Sequence, residues 1–215
     1  MTHPDSPPEG AQKALIDAGL KLFGTHGYDG TSTRAIAAEA GVNIALIAYH
    51  FGGKDGLRQA CAREVARRIR NATETANIPP DLTAAQAQAR LETVLRGIVA
   101  FLCGAPGSEH AVRFMLSEVT KGGPVMDEVY EAFLEPKHRQ LSALFAIASG
   151  QPPESDAVKL TVFSLLGQIA YFRLAAPLVS RRMGWPGLGP EQAQAIENMA
   201  LTNLRRLLSH QGPTS

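Results

Sequence analysis

The chain has 215 residues, 45% apolar and 19% charged, with a formal net charge of +1. That is enough chain to bury a real core, and it excludes disorder, which needs low hydrophobicity and high net charge. Two cysteines exclude a disulfide scaffold, and the weak net charge gives no global nucleic-acid signature, so any such signal must be local. The first residues, MTHPDSPPEG, are polar and proline-rich and lack the apolar run of a signal peptide. The longest uncharged apolar stretch lies between Lys159 and Arg173, shorter than the roughly 20 residues a bilayer span needs. The expectation is a cytoplasmic protein with no membrane segment and two free thiols, Cys61 and Cys103.

Alanine and leucine dominate and alternating β-branched runs are absent, so the sequence predicts an all-α fold of nine helices. Segment 11–25 carries Ala11, Ala14, Leu15, Ala18 and Leu22 at helical spacing and ends at Gly27. Segment 33–40 has Ser32 as N-cap and Gly41 just past its end. Segment 44–50 has Asn43 as its cap, and segment 54–76 puts Leu57, Cys61, Val65 and Ile69 on one stripe. Ile78-Pro79-Pro80-Asp81 then marks a stop. Thr83 caps a helix over 84–102, Ala105-Pro106-Gly107 breaks it, and Ser108 restarts one to Lys121. Segment 125–148 follows, with a kink or split expected at Pro136. Segment 156–180 is apolar nearly all round, and segment 190–209 closes the chain. The expected organisation is a disordered tail over 1–10, a small three-helix domain over 11–54, a connecting helix over 55–77 and a larger helical domain over 78–215.

The informative stretch is TRAIAAEAGVNIALIAYHF, residues 33–51. Two short helices meet at Gly41, which can take the left-handed conformation of a tight interhelical turn. Ala37 is small enough for close approach, and Ile36, Ala40, Val42 and Ile47 form an apolar seam. This is a helix-turn-helix arrangement, whose second helix enters the DNA major groove.

These residues resemble the TetR family of bacterial transcriptional regulators. The resemblance runs through Leu22–Tyr28, Thr31–Ala37, Ala40-Gly41-Val42 and Tyr49–Leu57. Asn43-Ile44-Ala45, Ala60-Cys61-Ala62, Leu165-Leu166-Gly167, Phe172-Arg173-Leu174 and Gly184-Trp185-Pro186 are similar to the CecR-like branch. The resemblance implies that Thr33 and Arg34 open a helix facing the DNA backbone. It makes Asn43 to Tyr49 the recognition helix, with Tyr49, His50 and Lys54 as phosphate contacts. Ile44 stands where many relatives have Lys or Arg, and Ala48 where an aromatic is common. Ile44, Ala45, Leu46 and Ala48 suit thymine methyls, so shape and phosphate contacts share the recognition with base hydrogen bonds. The arginines at 58, 63, 67, 68 and 70 form a solvated face, with long-range steering of DNA as the alternative.

The resemblance also implies a homodimer that binds double-stranded operator DNA and a small-molecule effector. Surplus apolar surface on the last two long segments fits a four-helix interface using Val162, Leu166, Ile169, Ile196, Ala200, Leu204 and Leu207. Phe101, Phe114, Met115, Met126, Tyr130, Phe133, Phe163, Tyr171 and Phe172 are candidate lining for an effector pocket, against a role as ordinary core. Glu118, Gln168 and Arg173 sit among them, and a buried charge there needs a partner or a ligand. Glu118 and Arg173 pairing with each other is one resolution, and solvent exposure is another. The six histidines are scattered, and no HExxH, GxSxG or P-loop spacing occurs, so an enzyme is disfavoured. No metal or other cofactor is expected. The rival reading is a helical protein-interaction module that does not bind DNA.

Overall fold

The computed structural model describes residues 10–73, 78–104 and 108–209. Of the expected tail over 1–10, residues 1–9 lie outside the described residues and Gly10 already opens the first helix; the break at 105–107 and the end of segment 54–76 also lie outside them. The described residues hold helices and no strand. In chain order they are α1 (Gly10–His26), α2 (Thr33–Ala40), α3 (Ala45–Phe51), α4 (Lys54–Ala72), α5 (Ala84–Val99) and α6 (Ser108–Lys121). There follow α7 (Pro124–Val129), α8 (Glu135–Ser149), α9 (Asp156–Leu174), α10 (Ala176–Met183) and α11 (Pro190–Ser209).

Two π-helical turns interrupt the regular winding. One, Ala100–Gly104, extends α5, and the other, Tyr130–Leu134, joins α7 to α8 without a break. Pro136 therefore splits nothing: it sits in the first turn of α8, where its missing N–H costs little, and the π turn absorbs the irregularity. The expected segment 156–180 is instead two helices. Pro177 cannot donate to Arg173, so α9 stops at Leu174 and α10 restarts with Pro177 in its first turn. Thr83 starts α5 with a full capping box, its hydroxyl facing the Gln86 N–H while the Gln86 side chain reaches the Thr83 N–H.

The described residues fall into two compact units, 10–68 with 108–132, and 69–104 with 133–209. These units cut across the chain order expected above, because α6 packs along α1. Gly24 on α1 allows a close approach: a Cβ there would stand 2.6 Å from the His110 carbonyl oxygen. Phe23 meets Phe114 with ring centroids 6.1 Å apart, and Leu15, Ile36, Ile47 and Leu57 complete this core.

The second unit is built on α5, α8, α9 and α11. Leu91, Leu95, Leu144, Phe145, Ile169, Ile196 and Leu204 lie together in its centre. The last residues of α4 belong to this unit. The Ala72 carbonyl lies so close to Gly97 on α5 that a Cβ there would be 1.8 Å from it. Lys137 on α8 donates to the Thr73 carbonyl at 3.1 Å, a lysine on the free carbonyls of a helix C-terminus.

Candidate DNA-binding interface

Backbone chemistry sets the two helices of the interface. The Ser32 hydroxyl accepts the Ala35 N–H at 3.1 Å and starts α2. Gly41 has φ +66°, and the Gly41 and Val42 amides return to the Ala38 and Ala37 carbonyls at 3.2 and 3.0 Å. That double closure ends α2 and turns the chain sharply into α3. The N-cap of α3 is Ile44, not the expected Asn43; Asn43 Oδ1 accepts the Ala45 N–H at 2.9 Å from one residue earlier. The same bond occupies the amide oxygen and leaves the Asn43 NH2 group to donate outward.

Ile36 and Ala37 bury the inner face of α2, and Ile47 alone in α3 is buried, at 2% exposure. One anchor in seven residues leaves the rest of α3 to its surroundings. Tyr49 is 80% exposed and Ile44 46%, while Asn43, Ala45 and Ala48 are also exposed. Arg34 is exposed at the start of α2, and Thr33, Leu46, His50 and Lys54 are half-buried. The ten expected contact residues thus share one short stretch of surface chain on α2, α3 and the start of α4.

His50 is held from two sides. The Gln12 amide nitrogen lies 3.3 Å from His50 Nδ1, and the Tyr49 ring meets the imidazole edge-on at 4.9 Å. With Gln12 donating, the neutral ring carries its proton on Nε2 and can donate it. Tyr28 and Gln12 are contacts that sequence reasoning did not assign. The Tyr28 ring has Lys54 Nζ 4.0 Å from its centroid and the Arg58 guanidinium carbon at 4.8 Å. Its hydroxyl donates to Asp55 Oδ1, and that bond to the carboxylate raises the phenol above its ordinary pKa. Tyr28 sits inside a stretch that carries the family resemblance, yet no spacing in the sequence ties it to Lys54.

The arginine face of α4 is largely neutralised. Arg58 is fixed to Glu118 on α6 by three contacts of 2.6–3.2 Å, and only 3% of the Glu118 side chain is exposed. Arg63 pairs with Glu128 at 2.8 Å, Arg67 and Arg68 both hold Glu64, and Arg68 also holds Asp17 at 2.7 Å. Burial raises the Glu64 pKa, but hydrogen bonds from Arg67 and Arg68 more than offset it and leave the carboxyl below its usual range.

Comparison with known proteins agrees with this geometry. Residues 15–61 match the family described as bacterial regulatory proteins of the tetR family. Residues 87–210 match the C-terminal domain of the HTH-type transcriptional dual regulator CecR. The CecR protein of Shigella flexneri is 31% identical over 206 residues, covering 93% of this chain and 92% of its own. The chain belongs to the TetR family, in its CecR branch. It is a helix-turn-helix transcriptional regulator. A TetR-like regulator from Rhodococcus sp. RHA1 has the same fold, with a TM-score of 0.67 at 18% identity over 95% of this chain and 98% of that one. AibR, crystallised with isovaleryl coenzyme A and operator DNA, gives a TM-score of 0.59 at 18% identity over 77% and 86% of the two chains.

The remaining expected residues of this TetR-family chain fare unevenly. Val162, Ile169, Ile196, Ala200 and Leu204 are 0–2% exposed and belong to the second unit's own core, so they have no surface to give a second subunit. Leu166 and Leu207 are half-buried. The surface of α9 is instead a stripe of Leu160, Phe163, Gly167, Tyr171 and Leu174, whose four side chains beside Gly167 are 52–67% exposed. The exposed apolar residues of α9 are thus a different set from the interface residues expected there. Among the described residues α9 is also the one helix long and apolar enough to cross a membrane; it starts at Asp156, before the uncharged stretch seen in the sequence.

The expected effector residues divide between the units. Phe114, Met115, Glu118, Met126 and Tyr130 belong to the first, and Phe101, Phe133, Phe163, Gln168, Tyr171, Phe172 and Arg173 to the second. Phe114 is spent on Phe23, and the partner of Glu118 is Arg58, not Arg173. Tyr130 and Tyr171 are half-exposed or more. Gln168 accepts from Asn203 Nδ2 at 2.7 Å and lines a recess of about 290 Å³ with Ser164, Leu165, Arg206 and Leu207.

Proposed function

We propose that this regulator acts in the cytoplasm as a homodimeric repressor that leaves its operator when a small hydrophobic effector binds. The observation that carries the DNA contact is α3 itself, anchored by Ile47 alone while Tyr49 stands 80% exposed. Asn43 and Tyr49 offer hydrogen bonds to base edges and phosphate, and Ile44, Ala45, Leu46 and Ala48 offer apolar contact to thymine methyls. Thr33, Arg34, His50 and Lys54 bind the sugar-phosphate backbone and set the register.

The second subunit docks on the α9 stripe. Leu160, Phe163, Gly167, Tyr171 and Leu174 recur at helical spacing, and a Cβ on Gly167 would meet nothing within 4 Å inside the chain. A glycine at that position lets a partner helix approach closely. A two-fold dimer carries two copies of α3, one for each of two half-sites. AibR supports the effector, since that TetR-fold protein was crystallised with both a small molecule and operator DNA. The functional division assigned to this chain is DNA binding by 11–54, connection through 55–77, and effector binding with dimerisation in 78–215. Both π turns carry effector candidates, Phe101 in one and Tyr130 and Phe133 in the other, and such turns are frequent at functional sites. The effector releases DNA by binding the DNA-incompetent dimer more tightly, with α4 as the connecting lever.

The test is titration of the purified protein on DNA from upstream of its own coding sequence, with and without Asn43→Ala and Tyr49→Ala. Saturable, sequence-dependent binding with a steep salt slope, lost in the two variants, is expected. A folded dimer that binds no duplex more tightly than any other would favour the protein-interaction module.

A further inference from the structure

Tyr28 touches more of the first unit than a loop residue needs to. Its ring stacks on Phe23 at 5.8 Å and 27°, faces Lys54 Nζ at 4.0 Å and the Arg58 guanidinium at 4.8 Å, and its hydroxyl holds Asp55. Two of these neighbours lead to α6. Phe23 meets Phe114, and Arg58 is clasped by Glu118. Phe114 and Glu118 are one turn apart on α6 and so share a face, both almost wholly buried. Two separate contacts from that face therefore converge on one phenol ring.

We propose that Tyr28 is the positioning residue that presents Lys54 to a DNA phosphate, and that α6 sets its position through Phe114 and Glu118. The inference rests on the phosphate contact assigned to Lys54 above. A lysine ammonium on four flexible bonds loses rotamer freedom when it meets a phosphate. An aromatic face that already holds the ammonium pays much of that loss in advance, and leaves its outward protons free for the anion. Asp55 and Glu118 balance Lys54 and Arg58, so the cluster holds two cations on one ring without net charge. Movement of the α6 face would shift the ring, and with it the ammonium, without moving α3. This gives DNA affinity a second control besides the spacing of the recognition helices.

The experiment is fluorescence anisotropy of a labelled mixed-sequence duplex, titrated with the full-length protein between 20 and 100 mM salt. Lys54→Met should flatten the plot of log affinity against log salt by about 0.9 per protomer, the mark of one lost phosphate contact. Tyr28→Leu should lower affinity about two- to fivefold, and the double variant should bind no worse than Lys54→Met. Trifluorophenylalanine at position 28 keeps the packed ring and drains its negative face. It should weaken binding in the wild-type background and change nothing beside Lys54→Met. Glu118→Gln should behave in the same way, losing affinity only while Lys54 is present.

Equal losses from the Tyr28 or Glu118 variants with and without Lys54 would overturn the proposal and leave both residues as packing. A Lys54→Met protein with the wild-type slope would remove Lys54 from the interface and the proposal with it. A wild-type protein that binds no duplex would instead overturn the DNA-binding assignment itself.

Discussion

Glu118 takes both Nε and Nη2 of Arg58 into its carboxylate while exposing 3% of its own side chain, and Arg58 exposes 20% of its own. Removing one member of such a pair strands the other charge in a poorly solvated place. Glu118→Ala should cost about 2–4 kcal/mol in denaturant unfolding, against about 0–1 for Glu39→Ala, whose partner Lys21 is half in water. Equal losses at the two positions would mean that water reaches the Arg58 pair.

The backbone approach at Gly97 makes a second prediction. A methyl group there would press on the Ala72 carbonyl at 1.8 Å, and backbone atoms cannot swing aside. Gly97→Ala should therefore destabilise the protein by about 3 kcal/mol despite alanine's higher helix propensity. Gly167→Ala is the matched control, since its methyl group meets nothing within the chain. Calorimetry of the two variants should move their melting temperatures in opposite directions under conditions that keep the protein monomeric.

The outward stripe of α9 gives a third. Gly167→Leu should push the two subunits apart without touching either core, and Phe163→Glu should place a charge on the same face. Sedimentation velocity should show the association constant falling at least tenfold in each, with circular dichroism unchanged. Ile196→Glu, by contrast, should unfold the protein, because Ile196 is 2% exposed in the chain's own core. A dimer indifferent to Gly167 and Phe163 would put the interface elsewhere.

Acid stability gives a fourth. The Arg205 hydrogen bonds beside Glu92 lower its carboxyl from the ordinary 4.5 to about 2, with Gln88 and Arg96 adding to the effect. A lowered folded-state pKa means that the stabilisation is fully present above about pH 4.5 and is lost as pH falls toward 2. Melting temperature should drop across that window, and Glu92→Gln should flatten the drop. Asp17 and Glu64 are lowered as well, so a residual slope should survive in the variant. Parallel curves for the two proteins would show that Glu92 is not anchored by Arg205.

Much of the helix-turn-helix was legible because its signals are local. Ser32, Gly41 and Asn43 act on backbone groups two to five positions away, so type and spacing suffice to place the Ser32 cap and the turn. The helices were legible for the same reason, apart from the division of α9 and α10 at Pro177. What periodicity could not supply is which of several apolar stripes turns inward. On α9, Val162 and Phe163 are neighbours of similar character, yet one is 2% and the other 59% exposed. The choice is made by the packing of α5, α8 and α11 against α9, which spacing within α9 does not encode. Glu118 likewise finds Arg58 across 60 positions. Its burial was suspected from its neighbours, but its partner is a property of α6 lying against α1.

The pairing of Arg58, Arg63, Arg67 and Arg68 with carboxylates bears on how the regulator searches a chromosome. An unbalanced basic face would hold it on any duplex by counterion release and send it on long one-dimensional slides. Here those four charges are paired within the first unit, so on the proposed role their pull on arbitrary sequence is weak. A regulator balanced in this way makes brief visits to non-cognate DNA and moves between sites mainly by hopping through solution. On the proposed function, the delay between effector arrival and promoter response would then be set by residence at the operator itself.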